Sequence, residues 1–337
     1  MRIQSQELKT MLYDILRSRD VPNDTAAIAA ENFTGNSLDG VYSHGVNRFP
    51  RVIDYIDRGK IDVHAKATCV ASIGAFERWD GRLALGNVNA VRAMDRACDL
   101  AAEHGIGCVA IGNTNHWMRG GSFGWQAADR GCIGMCWTNT MPNTPAWGGV
   151  EPKIGNNPFV ISIPRENGRH VVVDIAMTQF AFGKIEMASM LGEKLSVPGG
   201  FDDAGNVTDD PKTIEQSGRA LTIGYWKGSS LSICLDLAAA VLSAGNTVTS
   251  VGRKYTDEVG LSQVMVAFDS RVLGKGEGEA LADEVIADIK SSTPVRTGEA
   301  IRYPGELEYR TRMQNLAEGI PVLPEIWDRI EKLHARL

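Results

Sequence analysis

The stretch GCIGMCWTNTMPNTPAWGGVEPKIGNNPFVISIPRENGRHVVVDI, residues 131–175, holds three apolar, β-branched runs with no helical pattern between them. Gly131–Trp137, Phe159–Ile163 and Val171–Ile175 each read as a strand. Turn chemistry separates them, notably Gly155-Asn156-Asn157-Pro158. Parallel neighbours need a crossover of about a dozen residues or more, usually a helix. Consecutive strands joined by turns therefore predict antiparallel pairing in a mixed α/β chain, not a doubly wound sheet. Cys132 and Cys136 are an even number apart, which predicts one buried strand face; no partners of metal-site spacing accompany them.

Working outward, Asn87–His104 carries Val91, Met94, Cys98 and Ala101 at helical spacing and is stopped by Gly105. A strand, Gly107–Ile111, follows. The run Gly105-Ile106-Gly107-Cys108-Val109-Ala110 fits G-x-G-x-x-A, but its order is helix, glycines, strand. A dinucleotide fingerprint needs strand, glycines, helix. Gly274-Lys275-Gly276-Glu277-Gly278 does lie between a strand, Val264–Asp269, and a helix, Ala280–Ser291. There Glu279 replaces the last glycine and two carboxylates would repel a pyrophosphate, so a flexible connection is predicted. Thr68–Gly74 reads as a strand, 199–224 as a long loop and Ser229–Ala244 as a buried helix. Three amphipathic helices open the chain. Ser5 caps the first, Pro22-Asn23-Asp24 starts the second, and Arg58-Gly59 ends the third. A last helix carries Ile326, Trp327, Ile330 and Leu333. The expected organisation is a helical unit of residues 1–66 with 300–337. The sheet-containing unit, 67–299, would bind cofactor and substrate, as one body or two subdomains.

The 337 residues are 43% apolar and 23% charged, ordinary values for a folded globular chain. Lys plus Arg number 35 against 41 Asp plus Glu, a formal charge of −6. That acidic balance argues against a nucleic-acid partner, which requires a basic footprint. No charged-then-apolar leader opens the chain, and Leu231–Gly245, interrupted by Asp236, is too short to span a bilayer. With six scattered cysteines and no C-x-x-C, a cytoplasmic protein without a membrane partner is expected. H-E-x-x-H, EF-hand and G-x-S-x-G patterns are absent, so no metal and no serine nucleophile is expected.

Two segments carry candidate chemistry. Val41-Tyr42-Ser43-His44-Gly45-Val46-Asn47-Arg48 offers a proton donor, His44, and a guanidinium, Arg48, that share a face if a helix starts at Ser43. Such a pair suits a carbonyl beside a carboxylate: the arginine clamps the acid and the histidine protonates the oxygen. Pro50 conflicts with a helix already under way. The structural alternative is Ser43 as a helix cap and His44 on the surface. Asn113–Ser122 contains His116 and Arg119, a second cationic point, or else forms a solvated loop with Trp117 packed down.

Six stretches in register carry a family resemblance: VYSHGVNRFPR (41–51), GNTNHWMRGGS (112–122), KIGNNPF (153–159), VVVDIAMTQFAFGKIE (171–186), FDDAGNVTDDP (201–211) and GYWKGSSLSICLDLAA (224–239). Together they resemble the type-2 malate/L-lactate dehydrogenase family nearly end to end. Within it they most resemble a member that reduces a diketo sugar acid. The resemblance implies a non-Rossmann NAD(P)-binding fold with a large, mostly antiparallel sheet flanked by helices. It implies a homodimer and NADH as cofactor, with NADPH the alternative. It makes His44 the proton donor and puts Arg48 and His116 around a sugar acid or other 2-oxo acid. Three cofactor segments follow from it: His170, Val171, Val172, Val173, Asp174, Ile175 and Ala176; Trp226 and Lys227; and Gly305, Glu306 and Leu307. The chain departs from the family in Gly155-Asn156-Asn157-Pro158, where Thr is usual at the second position. It departs again in Ala176-Met177-Thr178-Gln179, which keeps one hydroxyl of an expected pair. Two other readings remain: a dehydrogenase for another 2-hydroxy acid, and a non-catalytic sugar-acid binder.

Overall fold

The computed structural model describes residues 1–273, 277–296 and 298–335. Residues 274–276 of the glycine-rich connection lie outside them. At the centre is a seven-stranded sheet. In chain order its strands are β1 (Thr68–Ile73), β2 (Phe76–Asp80), β3 (Ile106–Thr114), β4 (Cys132–Thr138), β5 (Phe159–Ile163), β6 (Val171–Ile175) and β7 (Leu261–Asp269). Their spatial order is β1-β2-β3-β7-β4-β5-β6. Every neighbouring pair is antiparallel except β2–β3. The three strands of the opening stretch, β4, β5 and β6, are adjacent and antiparallel. Cys132 and Cys136 both lie on the buried face of β4.

The single parallel pair has its crossover in the helix Gly86–His104. Gly105 ends that helix with φ 82°, a left-handed stop. A Cβ at Gly107 would fall 2.0 Å from the carbonyl oxygen of Ala97. The G-x-G-x-x-A run thus serves a helix stop and a close helix–strand approach, not a phosphate. The helix Trp226–Ser243 packs on the sheet from another side, where Ala239 meets Ala110 and Val264.

The helices Ser5–Arg17, Asn23–Leu38 and Phe49–Asp57 share one core with Pro324–His334, built on Leu8, Phe33, Phe49, Trp327 and Ile330. Arg2–Ile3 pairs antiparallel with Ile320–Pro321, joining the two ends of the chain. Several local expectations are corrected. Ser5 is the first helical residue, not a cap, and no side chain caps that helix. The loop 199–224 contains a two-residue hairpin, Gly200–Phe201 with Val207–Thr208, and a helix, Pro211–Ser217, whose Asp210 cap accepts from Thr213 N. Strand β2 and the helices Gly121–Asp129, Phe182–Leu191, Val248–Lys254 and Glu306–Glu318 had no clear sequence period. Among the described residues, no single helix is long and apolar enough to cross a membrane.

Candidate active site

No helix begins at Ser43. Tyr42–His44 form one 3-10 turn, and the next helix starts at Phe49 with Arg48 as its N-cap. Pro50 stands in its first turn, where its missing N–H costs nothing. The turn is pinned from beneath. Asn36 Nδ2 donates to the His44 carbonyl oxygen at 2.9 Å, Ser122 Oγ donates to Asn36 Oδ1 at 2.5 Å, and Val46 N donates to Ser37 Oγ at 2.9 Å. The His44 ring stacks on His116, with centroids 5.7 Å apart and planes 20° from parallel. Ser43 Oγ lies 3.0 Å from His44 Nδ1. Met118 N donates to His116 Nδ1 at 3.0 Å. An acceptor at Nδ1 places the proton of a neutral ring on Nε2, leaving His116 with a donor on its other side.

Arg48 is ion-paired with Glu258, and Arg51 lies 3.6 Å from the same oxygen. Glu258 had no signal in the sequence: it is 210 residues from Arg48, in an ordinary acidic turn. Both histidines are half-buried. Burial, followed by the Arg48 charge, lowers His44 to about 4, with Arg119 adding and Glu258 opposing. Burial likewise lowers His116 to about 3, against the pull of Glu258. Burial pushes Glu258 up, yet His116, Arg48 and Arg51 together hold it below its ordinary range. Without ligand, both rings are therefore neutral at pH 7.

This has a consequence for stability. An unfolded histidine titrates near 6.5, above both folded values. Between pH 6.5 and about 4 the unfolded chain takes up protons that the folded chain refuses, so acidification destabilises the fold. Asp174, raised by burial against the opposing charge of Arg119, acts in the other direction. The melting temperature should fall from pH 7 to pH 5, and the fall should shrink in the double variant His44→Asn, His116→Asn. An unchanged slope in that variant counts against the assignment.

The three segments expected to bind cofactor meet around β6. Met177 follows its end, and Ile223 N donates to Met177 O at 3.0 Å, with a bridge between Thr178 and Thr222. These contacts bring Tyr225, Trp226 and Lys227 to that end; Trp226 and Lys227 are exposed. On the other side Val172 N donates to Pro304 O at 3.0 Å. Gly305, at φ 92°, has room only for a hydrogen, since a Cβ would lie 3.0 Å from the His170 carbonyl oxygen. Asp174 Oδ2 accepts from Gly121 N at 2.8 Å, tying β6 to the loop that carries His116. Two of the expected side chains are committed elsewhere. His170 Nε2 bonds Asp129 at 2.8 Å while its Nδ1 accepts from Arg165 N at 2.9 Å. Glu306 is held by Lys290 at 2.9 Å and Arg310 at 2.7 Å.

Two side chains suit a dinucleotide phosphate: the exposed Lys227 ammonium and the Thr178 hydroxyl. The helices that begin at Trp226 and Glu306 add little, because Lys227 N, Gly228 N and Ser229 N already donate to Gly224 O, Ile223 O and Tyr225 O, and Glu306 N donates to Tyr303 O. Thr178 Oγ1, the one hydroxyl retained beside β6, is buried without a partner among the described residues.

The family model for malate/L-lactate dehydrogenase matches residues 3–331. The chain belongs to this family. It is therefore an oxidoreductase of a kind that uses a nicotinamide cofactor. A relative from Salmonella heidelberg (strain SL476), 2,3-diketo-L-gulonate reductase, is 43% identical over 334 residues, covering 99% of this chain and 100% of the relative. Among solved structures, sulfolactate dehydrogenase from Methanocaldococcus jannaschii aligns with TM-score 0.91 at 28% identity, covering 100% of this chain and 97% of its own. Malate dehydrogenase from Pyrococcus horikoshii OT3 aligns with TM-score 0.89 at 27% identity, covering 100% and 95%.

In this malate/L-lactate dehydrogenase family member, Arg119 is not a solvent-facing cationic point. It is 3% exposed, ion-paired with Asp39, and 3.8 Å from Asp174. Arg312 also reaches Asp39, at 2.5 Å. Trp117 does pack down, 1% exposed, but the loop around it is buried rather than solvated.

Proposed function

We propose that the protein reduces the C2 carbonyl of 2,3-diketo-L-gulonate to a hydroxyl, giving 3-dehydro-L-gulonate, with NADH as the reductant. The observation that carries this reading is the His44–His116 stack beside Arg48, on a chain 43% identical to relatives named for that reaction. A bound reduced nicotinamide supplies hydride to the carbonyl carbon. The backbone of His170–Ala176, the Trp226-Lys227 pair and the Gly305–Leu307 turn would hold that cofactor.

His44 gives a proton to the carbonyl oxygen as it gains charge, and Arg48 holds the adjacent carboxylate. His116 donates from Nε2 to a second substrate oxygen. In the unliganded cleft His44 is neutral, with Arg48 and Arg119 both opposing its protonation. The substrate carboxylate offsets that positive field, so His44 takes its proton as the anion binds. Glu258, ion-paired with Arg48, also offsets part of that field at His44.

A second reading keeps the chemistry but changes the acid to malate, lactate or sulfolactate, in view of the structural likeness to dehydrogenases named for such acids. A kinetic matrix of these acids' 2-oxo forms and 2,3-diketo-L-gulonate, each with NADH and NADPH, decides between them. The highest kcat/KM is expected for 2,3-diketo-L-gulonate with NADH. A tenfold preference for another pair would replace the substrate or cofactor assignment. Failure to bind either reduced cofactor would favour a non-catalytic binder.

The working form proposed is a cytoplasmic homodimer. An exposed apolar row on the helix Trp226–Ser243, formed by Ile233, Leu237 and Val241, supports a partner surface. The six cysteines, all free, suit a reducing compartment.

A further inference from the structure

Glu258 lies in the turn Asp257-Glu258-Val259, just before β7, and its side chain is 20% exposed. It closes a small cavity of about 10 Å³ with Arg48, Tyr55, Asn115 and His116. Its Oε2 accepts from Nη2 of Arg48. Among the described residues, Nε and Nη1 of Arg48 make no hydrogen bond to protein. Nη2 is shared by the two carboxylate-binding edges of the guanidinium; with one of its hydrogens on Glu258, the edge that carries its other hydrogen stays open.

We propose that Glu258 is a positioning residue for substrate recognition: it fixes one edge of Arg48 so that the opposite edge is presented to the carboxylate of the 2-oxo acid. This rests on the reading that Arg48 binds that carboxylate. A free arginine side chain loses considerable rotamer freedom on binding, and a guanidinium held in place beforehand loses less. The planar fork can accept a carboxylate on each of two edges, which the point charge of lysine cannot do in a fixed geometry.

Glu258 also balances the cleft. Without it, Arg48 and Arg51 would face the stacked histidines with two uncompensated charges. The groups facing His44 are Arg48, Glu258, Arg119 and His116; those facing His116 are Glu258, Arg48, His44 and Arg51. Removing the carboxylate leaves these positive neighbours in place, and protonation of His44 then requires a lower pH.

The test compares Glu258→Gln and Glu258→Asp with the wild type in three measurements. These are steady-state kinetics across pH on the substrate selected by the matrix, calorimetric titration of oxamate, an unreactive 2-oxo-acid analogue, and titration of NADH. For Glu258→Gln, KM and the oxamate Kd should rise about tenfold or more while the NADH Kd stays within twofold. The alkaline limb of kcat/KM should move to lower pH. Glu258→Asp, which restores the charge, should recover part of both effects. An oxamate Kd within twofold of wild type in Glu258→Gln overturns the proposal. So does a loss shared equally by Glu258→Asp and by NADH binding, which would mark a purely structural role. A wild type that reduces no 2-oxo acid overturns the proposed function instead, and the oxamate titration still judges Glu258 because it needs no turnover.

Discussion

Replacing His44 by alanine should lower kcat by about 10²–10⁴-fold, the usual contribution of a positioned general acid, while leaving NADH affinity within a few-fold of wild type. The geometry separates the two effects. The backbone of the turn is held through the His44 carbonyl oxygen, which accepts from Asn36 and persists in an alanine variant. The segments proposed to hold cofactor are joined to one another by bonds at Val172, Met177 and Ile223, none of which involves His44. What the substitution removes is the imidazole stacked on His116. His44→Gln keeps a polar side chain of similar reach but cannot deliver a proton in this pH range, and it should be nearly as inactive. Rapid-mixing measurement of cofactor oxidation, with a fluorescence titration of NADH, checks both halves. A kcat within tenfold of wild type in either variant would remove His44 from the proton-donor role.

The second large effect is on stability. Arg119→Met should cost roughly 3–5 kcal/mol, the range for breaking a buried ion pair from one side. For a chain of this length that corresponds to a fall in Tm of roughly 4–7 °C. Arg119 and Asp39 have side chains 3% and 4% exposed, so neither charge can turn to water. Among the described residues, removing the guanidinium leaves Asp39 ion-paired with Arg312 alone and Asp174 without an ion pair. Asp174 is already pushed up by burial, and losing Arg119 pushes it further. The double variant Arg119→Met, Asp39→Asn should recover part of the loss, since it removes both members of the pair. Melting curves of the two variants test this, and a Tm change under 1 °C for Arg119→Met would refute it. The loop that Arg119 anchors carries His116, so heat inactivation of the variant should precede that of the wild type.

Local patterns identified much of the fold. The β-branched runs of β4, β5 and β6, the helical spacing of Asn87–His104 and the stop at Gly105 all depend on neighbours within a few residues. So does the reversed order around Gly105–Ala110, which rules out a phosphate loop there. The elements without a sequence signal have weak local periods. Phe76–Asp80 is a short charged strand whose Glu77 is bonded by Arg96, and Glu306–Glu318 is a polar helix whose contacts are set by its neighbours. The start of the helix at Phe49 was ambiguous until packing chose the Tyr42–His44 turn.

By itself, the sequence determined the family, the antiparallel character of the central strands and the residue types available for chemistry, His44, Arg48 and His116 among them. Each follows from short-range spacing or from motifs read in order. Only the tertiary structure decided the protonation state of the two histidines, the placement of Glu258 against Arg48 and the burial of Arg119. These properties depend on desolvation and on charges brought close from distant parts of the chain. The insertion of β7 between β3 and β4 is what carries Glu258 across 210 residues to the cleft, and no local pattern encodes that distance.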